Sequence, residues 1–211
     1  MEGFGPLREI RTWEALAEHD SEVQLRDAIL ATVGERGFAR ATVREMAERA
    51  GIAEASLYHR HGAKDACFAW AYEAAMDRLA EQMLEECRSA ASWRAGFEAG
   101  LAYLLRRVAA EPTIARALLV EVRAARGEAW AKHQELTERL VAALDRVREE
   151  PGARPSATAT TAGFVLGAIE ESLCIELAAG RGEHVERLLP DLTRLAYLQL
   201  FGDDSPATPR A

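Results

Sequence analysis

The sequence predicts an all-α protein: a small N-terminal helix-turn-helix domain joined by a long helix to a larger C-terminal helical domain, about nine helices plus a short N-terminal accessory helix. Three observations predict it. Apolar residues recur every three or four positions along nearly the whole chain, and no segment alternates with β-branched enrichment, so no sheet is expected. Residues 42–68, TVREMAERAGIAEASLYHRHGAKDACF, read as two short helices joined by a glycine turn and followed by a third, the arrangement that lays one helix in the major groove of DNA. The last two helical segments are apolar around most of their circumference, which demands burial from two sides.

Taken in order, residues 7–18 predict the accessory helix, and Asp20 or Ser21 caps the next one, which carries Val23, Ala28, Ile29 and Val33 and ends near Gly37. Thr42 caps the following helix with Glu45 as its capping-box partner, and Val43, Met46, Ala47 and Ala50 form the apolar stripe. Gly51 supplies the turn. Ile52, Leu57 and Phe68 are spaced to anchor the second and third helices on the first, which leaves Ser56, Tyr58, His59 and Arg60 facing outward. A long helix over about 63–90 follows, with Phe68, Ala71, Tyr72, Ala75, Met76, Leu79 and Met83 as its stripe.

Residues 93–110 carry Phe97, Leu101, Leu104, Leu105 and Val108; Pro112, at a first-turn position, opens the helix of Ile114, Leu118, Leu119 and Val122, which Gly127 ends. Residues 128–150 continue with Trp130, Leu136, Leu140, Leu144 and Val147. Pro151, Gly152 and Pro155 break the chain, and Ser156 caps a strongly apolar helix to about 179. A turn over 180–182 leads to the last helix, 183–201. The expected divisions are an N-terminal extension at 1–19, the helix-turn-helix domain at 20–68, a larger helical domain with the dimerisation helices at 69–203 and a tail at 204–211.

A chain of 211 residues, 49% hydrophobic and 28% charged, reads as an ordinary globular protein. It has no run of about 18 or more uncharged apolar residues, and residues 1–11 show no basic region followed by an apolar stretch, so a cytoplasmic location with no membrane partner is expected. Cys67, Cys87 and Cys174 lie far apart without CxxC pairs or nearby histidines and read as core thiols. His19, His59, His61, His133 and His184 show no metal spacing, and no nucleophile, base and orienter set is visible; neither an enzyme, a metal nor a cofactor is expected.

The net charge of −8 seems to oppose nucleic acid, because phosphate neutralisation dominates DNA affinity. Its distribution changes that conclusion. Between Arg36 and Lys64 six basic residues stand against three acidic ones, so the acidic excess lies elsewhere and the protein can dock by one end. In the penultimate helix Phe164, Val165, Leu166, Ala168, Ile169, Leu173 and Ile175 leave only a narrow polar sector, while Gly163 and Gly167 permit close helix approach. A twofold dimer packing 156–179 and 183–201 against their copies accounts for this; a pair filling the middle of a monomeric bundle is the other arrangement.

With these residues in place, the sequence resembles the TetR family of bacterial transcriptional regulators. Thr42, Ala50-Gly51, Leu57-Tyr58 and Lys64 carry the resemblance, in register and without insertion, over about 50 residues within 20–68. It implies a homodimeric, ligand-responsive repressor, released from a palindromic double-stranded DNA operator when a small, largely apolar effector binds the C-terminal domain. It further implies that Thr42, Tyr58 and Lys64 contact phosphates, that Ser56, His59 and Arg60 face base edges, and that Arg44 reaches a base or a phosphate. An arginine serving only solubility is the other reading of Arg44. Three positions depart from the family pattern: His61 replaces an aromatic residue, as core filler or pH sensor; Ala53 replaces a capping Ser or Thr; and Glu54 brings a negative charge that either weakens binding or meets cytosine N4. These departures and the acidic total invite an alternative, a DNA-incompetent relative that binds a protein or metabolite.

The resemblance also implies a pocket between the long helix and those after it. Trp70, Tyr72, Met76, Phe97, Leu101, Tyr103, Leu118, Val122, Trp130 and Phe164 are the candidates, each with ordinary core packing as its alternative. Glu170, Glu171 and Glu176 sit inside the most apolar helix, where they can pair with Arg123 or Arg126, face a cationic ligand, or rim the dimer interface, the reading preferred here.

Overall fold

The computed structural model describes residues 13–149, 153–154 and 157–201, and no strand occurs among them. Helix α1 (Trp13–Arg36) runs unbroken through Asp20, so the expected division into an accessory helix ending near 18 and a next helix capped by Asp20 or Ser21 is corrected. Nothing but Gly34 between Trp13 and Arg36 disfavours helix, and the candidate caps sit in its interior; residues 7–12 lie outside the described residues. The helix stops where Gly37 takes φ 79°. Helix α2 (Val43–Ala50) starts with the expected capping box: the Thr42 hydroxyl accepts from the Glu45 N–H, and the Glu45 carboxylate accepts from the Thr42 N–H at 3.1 Å.

Gly51, at φ 69°, turns the chain into α3 (Glu54–His61). Leu57 and Phe68 are fully buried against Ile29, Leu30, Val33, Met46 and Ala47, closing the core of this head. Ile52 does not join them. Its side chain is exposed, and its contribution is the N–H donated to the Ala47 carbonyl at 3.0 Å, which closes the end of α2.

Helix α4 (Lys64–Arg88) leads into the body, followed by α5 (Trp93–Ala110) and α6 (Pro112–Arg116). The helix opened by Pro112 is not regular: a π-helical turn, Ala117–Glu121, separates α6 from α7 (Val122–Ala125). It ends at Arg126, which takes the left-handed conformation at φ 52°, rather than at Gly127, which precedes α8 (Glu128–Asp145). Gly127 is required for a close contact: a Cβ there would lie 2.4 Å from both Asp65 carboxylate oxygens. Asp65 Oδ2 accepts the Glu128 N–H at 3.0 Å, so α4 caps α8 across the molecule.

A 3₁₀ turn, Arg146–Glu149, extends α8. Helix α9 (Ala159–Ala178) is capped by the Thr158 hydroxyl and begins later than Ser156, which with Pro151, Gly152, Pro155 and the tail 204–211 lies outside the described residues. The expected final helix is divided into a 3₁₀ segment, Gly182–Leu188, and α10 (Leu189–Leu200), because Pro190 lacks an N–H and fits only a first turn.

Two clusters hold the fold. The head core continues into the body through Tyr72, Ala117, Val122 and Ala129, so the two parts share one apolar volume. The second cluster packs Leu101, Leu105 and Val108 of α5 on Val165, Ile169, Leu173 and Leu177 of α9 and on α10. Each fully buried Leu or Phe contributes about 1.5–3 kcal/mol. At Gly34 the head and body touch through backbone, since a Cβ there would lie 2.0 Å from the Thr113 carbonyl oxygen. One face of α9 is thus core, while on its other side Phe164 is 73% and Ile175 54% exposed. A Cβ on Gly167 would meet nothing within 4 Å. The monomeric alternative, α9 wrapped inside its own bundle, is therefore corrected: this face is uncovered in the single chain. No helix among the described residues is long and apolar enough to cross a membrane.

Candidate nucleic-acid interface and ligand cavity

Helix α3 turns Ser56, Tyr58, His59 and Arg60 to solvent, with Leu57 alone buried. Its first turn has no side-chain cap, because Ala53 carries no acceptor. Arg44 of α2 pairs with Glu48 at 2.8 Å; that hydrogen bond, then the charges of Glu48 and Glu54, hold its guanidinium above the ordinary range. Glu54 therefore acts on the same surface that Arg44 would offer to DNA. Thr42 spends its hydroxyl on the α2 cap.

Lys64 is turned inward. Its ammonium donates to the Phe38 and Ala39 carbonyls at 2.8 and 3.3 Å and sits 4.5 Å from the Phe38 ring centroid, satisfying carbonyls in the turn after α1. Arg36 pairs with Glu45, and Arg49 with Glu35, whereas Arg40 and Arg60 have no acidic partner among the described residues. His61 packs on Trp70 with centroids 4.1 Å apart and the rings tilted by 36°, and its Nε2 is buried without a hydrogen-bond partner. Burial, then the Arg60 charge, lowers its pKa. The imidazole fills the aromatic slot, and Trp70 belongs to the head.

The body holds a cavity of about 230 Å³, partly open to solvent, whose walls come from α1, α4, α5, α6, the π turn, α8 and α9. Leu30, Leu79, Met83, Leu104, Ile169 and Leu173 make it predominantly apolar. Of the candidates, Tyr72, Met76 and Leu118 line it. The others are corrected in position. Phe97 stacks on Trp93 at 5.4 Å, Leu101 is buried in the second cluster, and Val122 is buried where head and body join. Tyr103 hydrogen-bonds Gln82 beside the cavity, and Phe164 points outward from α9. Trp130 lines a separate, solvent-open cleft of about 810 Å³ with Arg123, Arg126 and Gln134. Helical spacing assigns these residues to a stripe but cannot tell which part of a long stripe meets a void.

Cavity and cleft share His133, Thr137 and Glu170, where a buried polar chain forms. Tyr72 Oη lies 2.9 Å from His133 Nδ1, His133 Nε2 lies 3.1 Å from Glu170 Oε1, and Arg123 donates to Glu170 at 2.9 Å and to Glu171 at 3.0 Å. A carboxylate only accepts, so Nε2 carries a proton toward Glu170, while Tyr72 and Nδ1 share the other hydrogen bond. Burial, then the Glu170 charge, keeps that phenol protonated. Burial pushes the Glu170 pKa up, but the hydrogen bonds from His133 and Arg123 outweigh it and the net shift is downward.

Glu170 thus pairs with Arg123 and faces the cavity, away from the exposed face of Phe164 and Ile175. Glu171 is exposed, and the Glu176 carboxylate pairs with Arg181 and Arg187 at 2.8 and 2.7 Å. Burial raises the Cys174 pKa to about 11, and its thiol donates to the Leu119 carbonyl at 3.4 Å. The result is an apolar cavity with one neutralised, hydrogen-bonding end. Sequence reasoning does not find His133 as a cavity residue, although it falls inside the stripe of Trp130, Leu136 and Leu140; a polar residue within an apolar stripe is the available signal. No group of three or more His, Cys, Asp or Glu among the described residues can hold a metal.

Residues 25–70 match the profile of the bacterial regulatory proteins, tetR family. No curated protein matches the chain. Among solved structures, it is similar to the fatty acid degradation regulator FadR of Bacillus halodurans, with a TM-score of 0.74 at 17% identity over 82% of this chain and 96% of that one. FadR of Bacillus subtilis, solved in complex with stearoyl-CoA, gives 0.73 at 16% identity over 83% and 97%. A TetR family transcription regulator of Marinobacter aquaeolei gives 0.69 at 18% identity over 88% and 98%. At these identities the likeness is one of fold.

Proposed function

We propose that this chain, a TetR-family transcriptional regulator by its residues 25–70 and its fold, is a repressor that leaves a palindromic operator when a small, largely apolar molecule enters the cavity. One observation carries the reading: the cavity wall includes Arg26, Asp27 and Leu30 of α1, a helix of the DNA-binding head, as well as Leu118 and Ile169 of the body. A molecule bound there touches both parts. Any preference it has for one head position changes DNA affinity by its differential binding. A volume of about 230 Å³ is many times the roughly 10–15 Å³ that one water needs, enough for the apolar part of a medium-length ligand. Its polar group, a hydroxyl, ester or carboxyl, would meet His133 and Thr137. That FadR of Bacillus subtilis was solved with stearoyl-CoA supports an apolar chain as the effector's main feature.

In this reading Ser56, His59 and Arg60 face base edges, Thr42 and Tyr58 meet phosphates, and Arg44 must leave Glu48 to help them. Lys64 shapes the turn after α1 and reaches a phosphate only by releasing it. The α9 and α10 faces pair with their copies and set the two heads roughly 34–36 Å apart, one DNA turn. The DNA-incompetent reading is favoured by Glu54 beside Arg44 and by the inward Lys64.

Titration of the full chain with its own upstream promoter DNA and with random duplex, between 50 and 200 mM salt, separates the two. The repressor reading expects promoter affinity at least about a thousandfold above random, falling by about 0.9 log units per log unit of salt for each neutralised phosphate. Equal affinities support the DNA-incompetent relative. Medium-length straight-chain alcohols and acids at saturation should release the promoter complex; unchanged affinity with all of them sinks the apolar-effector half.

A further inference from the structure

We infer that Glu121 is a positioning residue that couples the cavity to the DNA-binding head through the turn preceding α2. This rests on reading the cavity as the effector site. Glu121 ends the π-helical turn and is only 8% exposed, an unusual setting for a carboxylate. One oxygen accepts the Phe38 N–H at 2.9 Å, across 83 residues of sequence, and the other accepts from Arg116 at 3.0 Å. The opposite side of the same turn is held by Lys64, whose ammonium takes the Phe38 and Ala39 carbonyls.

The peptide groups around Phe38 are therefore gripped from two directions, by the body and by the first residue of α4. Gly37 supplies the left-handed backbone of the turn, φ 79°, and lies beside the grip, where a Cβ would be in ordinary contact with Glu121 Oε2 at 3.4 Å. Four residues after Phe38, Thr42 begins the helix that positions α3.

The other end of the link is the cavity. Leu118 and Leu119 belong to the same π turn as Glu121 and line the void. A π turn holds an extra residue in the helical ladder, and such turns recur at functional sites. Pressure on Leu118 or Leu119 displaces the short segment that carries Glu121, and the Phe38 N–H must follow or lose its buried acceptor. Coupling of this kind needs a contiguous physical connection with two arrangements. Here it spans only the four residues from Leu118 to Glu121 and one hydrogen bond.

Native-state hydrogen exchange on the full chain tests this without DNA or effector. Leu118→Phe fills the cavity wall and stands in for a ligand. It is combined with wild-type Glu121, with Glu121→Gln, which keeps an acceptor, and with Glu121→Met, which keeps volume but removes it. The expected result is an acceleration of about tenfold over residues 38–50 on adding Leu118→Phe to the wild-type and Gln backgrounds, and of no more than about twofold in the Met background. Equal acceleration in all three overturns the inference, as does none in the wild type. Should the Met protein fail to fold, Glu121→Asp, too short to reach Phe38, takes its place. Because no DNA is used, failure here with intact promoter binding removes only the coupling role. Coupling observed alongside failed promoter binding removes only the repressor reading.

Discussion

His61 shows how one residue can satisfy packing and still leave a charge problem. Its ring lies on Trp70, where an aromatic residue would serve, but its Nε2 is buried without a partner. Burial and Arg60 lower its pKa from 6.5, with Glu22 opposing weakly. The unfolded chain therefore binds a proton more readily, so stability is complete above about pH 6.5 and is lost as pH falls from there through the depressed folded value. His61→Phe keeps the packing and removes the titration. We expect the wild type to lose melting temperature between pH 7 and 5.5 and the variant to lose less, with calorimetry reading the difference; parallel curves would refute it. Nothing in the sequence distinguished filler from titrating group, because both need the same position, and only the unpartnered Nε2 tells them apart.

Element boundaries show what local sequence chemistry can and cannot encode. The start of α2 was legible because Thr42 and Glu45 are mutually sufficient: the capping box closes within four residues. The break of the expected 183–201 helix, the π turn in the helix after Pro112 and the unbroken α1 were not, since each depends on what packs beside the segment. Gly34 against Thr113 and Asp65 on the start of α8 are partners far away in sequence. The same limit explains why Tyr72, Met76 and Leu118 line the cavity while Trp70, Phe97 and Val122, equally apolar and equally periodic, do not. At α3 the local deficit is testable. Ala53 has extended backbone at φ −70°, ψ 139°, the geometry of a capping residue without the acceptor. Ala53→Ser should stabilise the head by about 0.5–2 kcal/mol and raise the melting temperature by roughly 2–4 °C per kcal/mol. Thermal denaturation at pH 7.5 checks it, and no gain would mean that α3 draws its order entirely from Leu57 and its neighbours.

At the scale of the whole molecule, the uncovered face of α9 and the position of the head are parts of one requirement. A repressor that reads two half-sites needs a fixed spacing between its heads, and that spacing can be set only by the surface where two chains meet. Phe164, 73% exposed, and Ile175, 54% exposed, lie on the side of α9 opposite the cavity wall of Ile169 and Leu173. In the proposed repressor one face of α9 would serve the interface and the other the ligand, so a displacement of α9 by a bound molecule would reach the spacing. Phe164→Arg tests the first half of this. A buried aromatic at an interface centre contributes about 2 kcal/mol or more, and twofold symmetry counts it twice, so self-association should weaken by about 4 kcal/mol, roughly a thousandfold. Sedimentation velocity at micromolar concentration should show a folded monomer with unchanged helix content. On promoter DNA such a monomer presents a single head, so both its affinity and the slope of log affinity against log salt should fall, the slope by about half because half as many phosphates are neutralised per particle. A variant that stays dimeric would place the interface on another face, and a monomer with an undiminished salt slope would mean that one head alone accounts for binding.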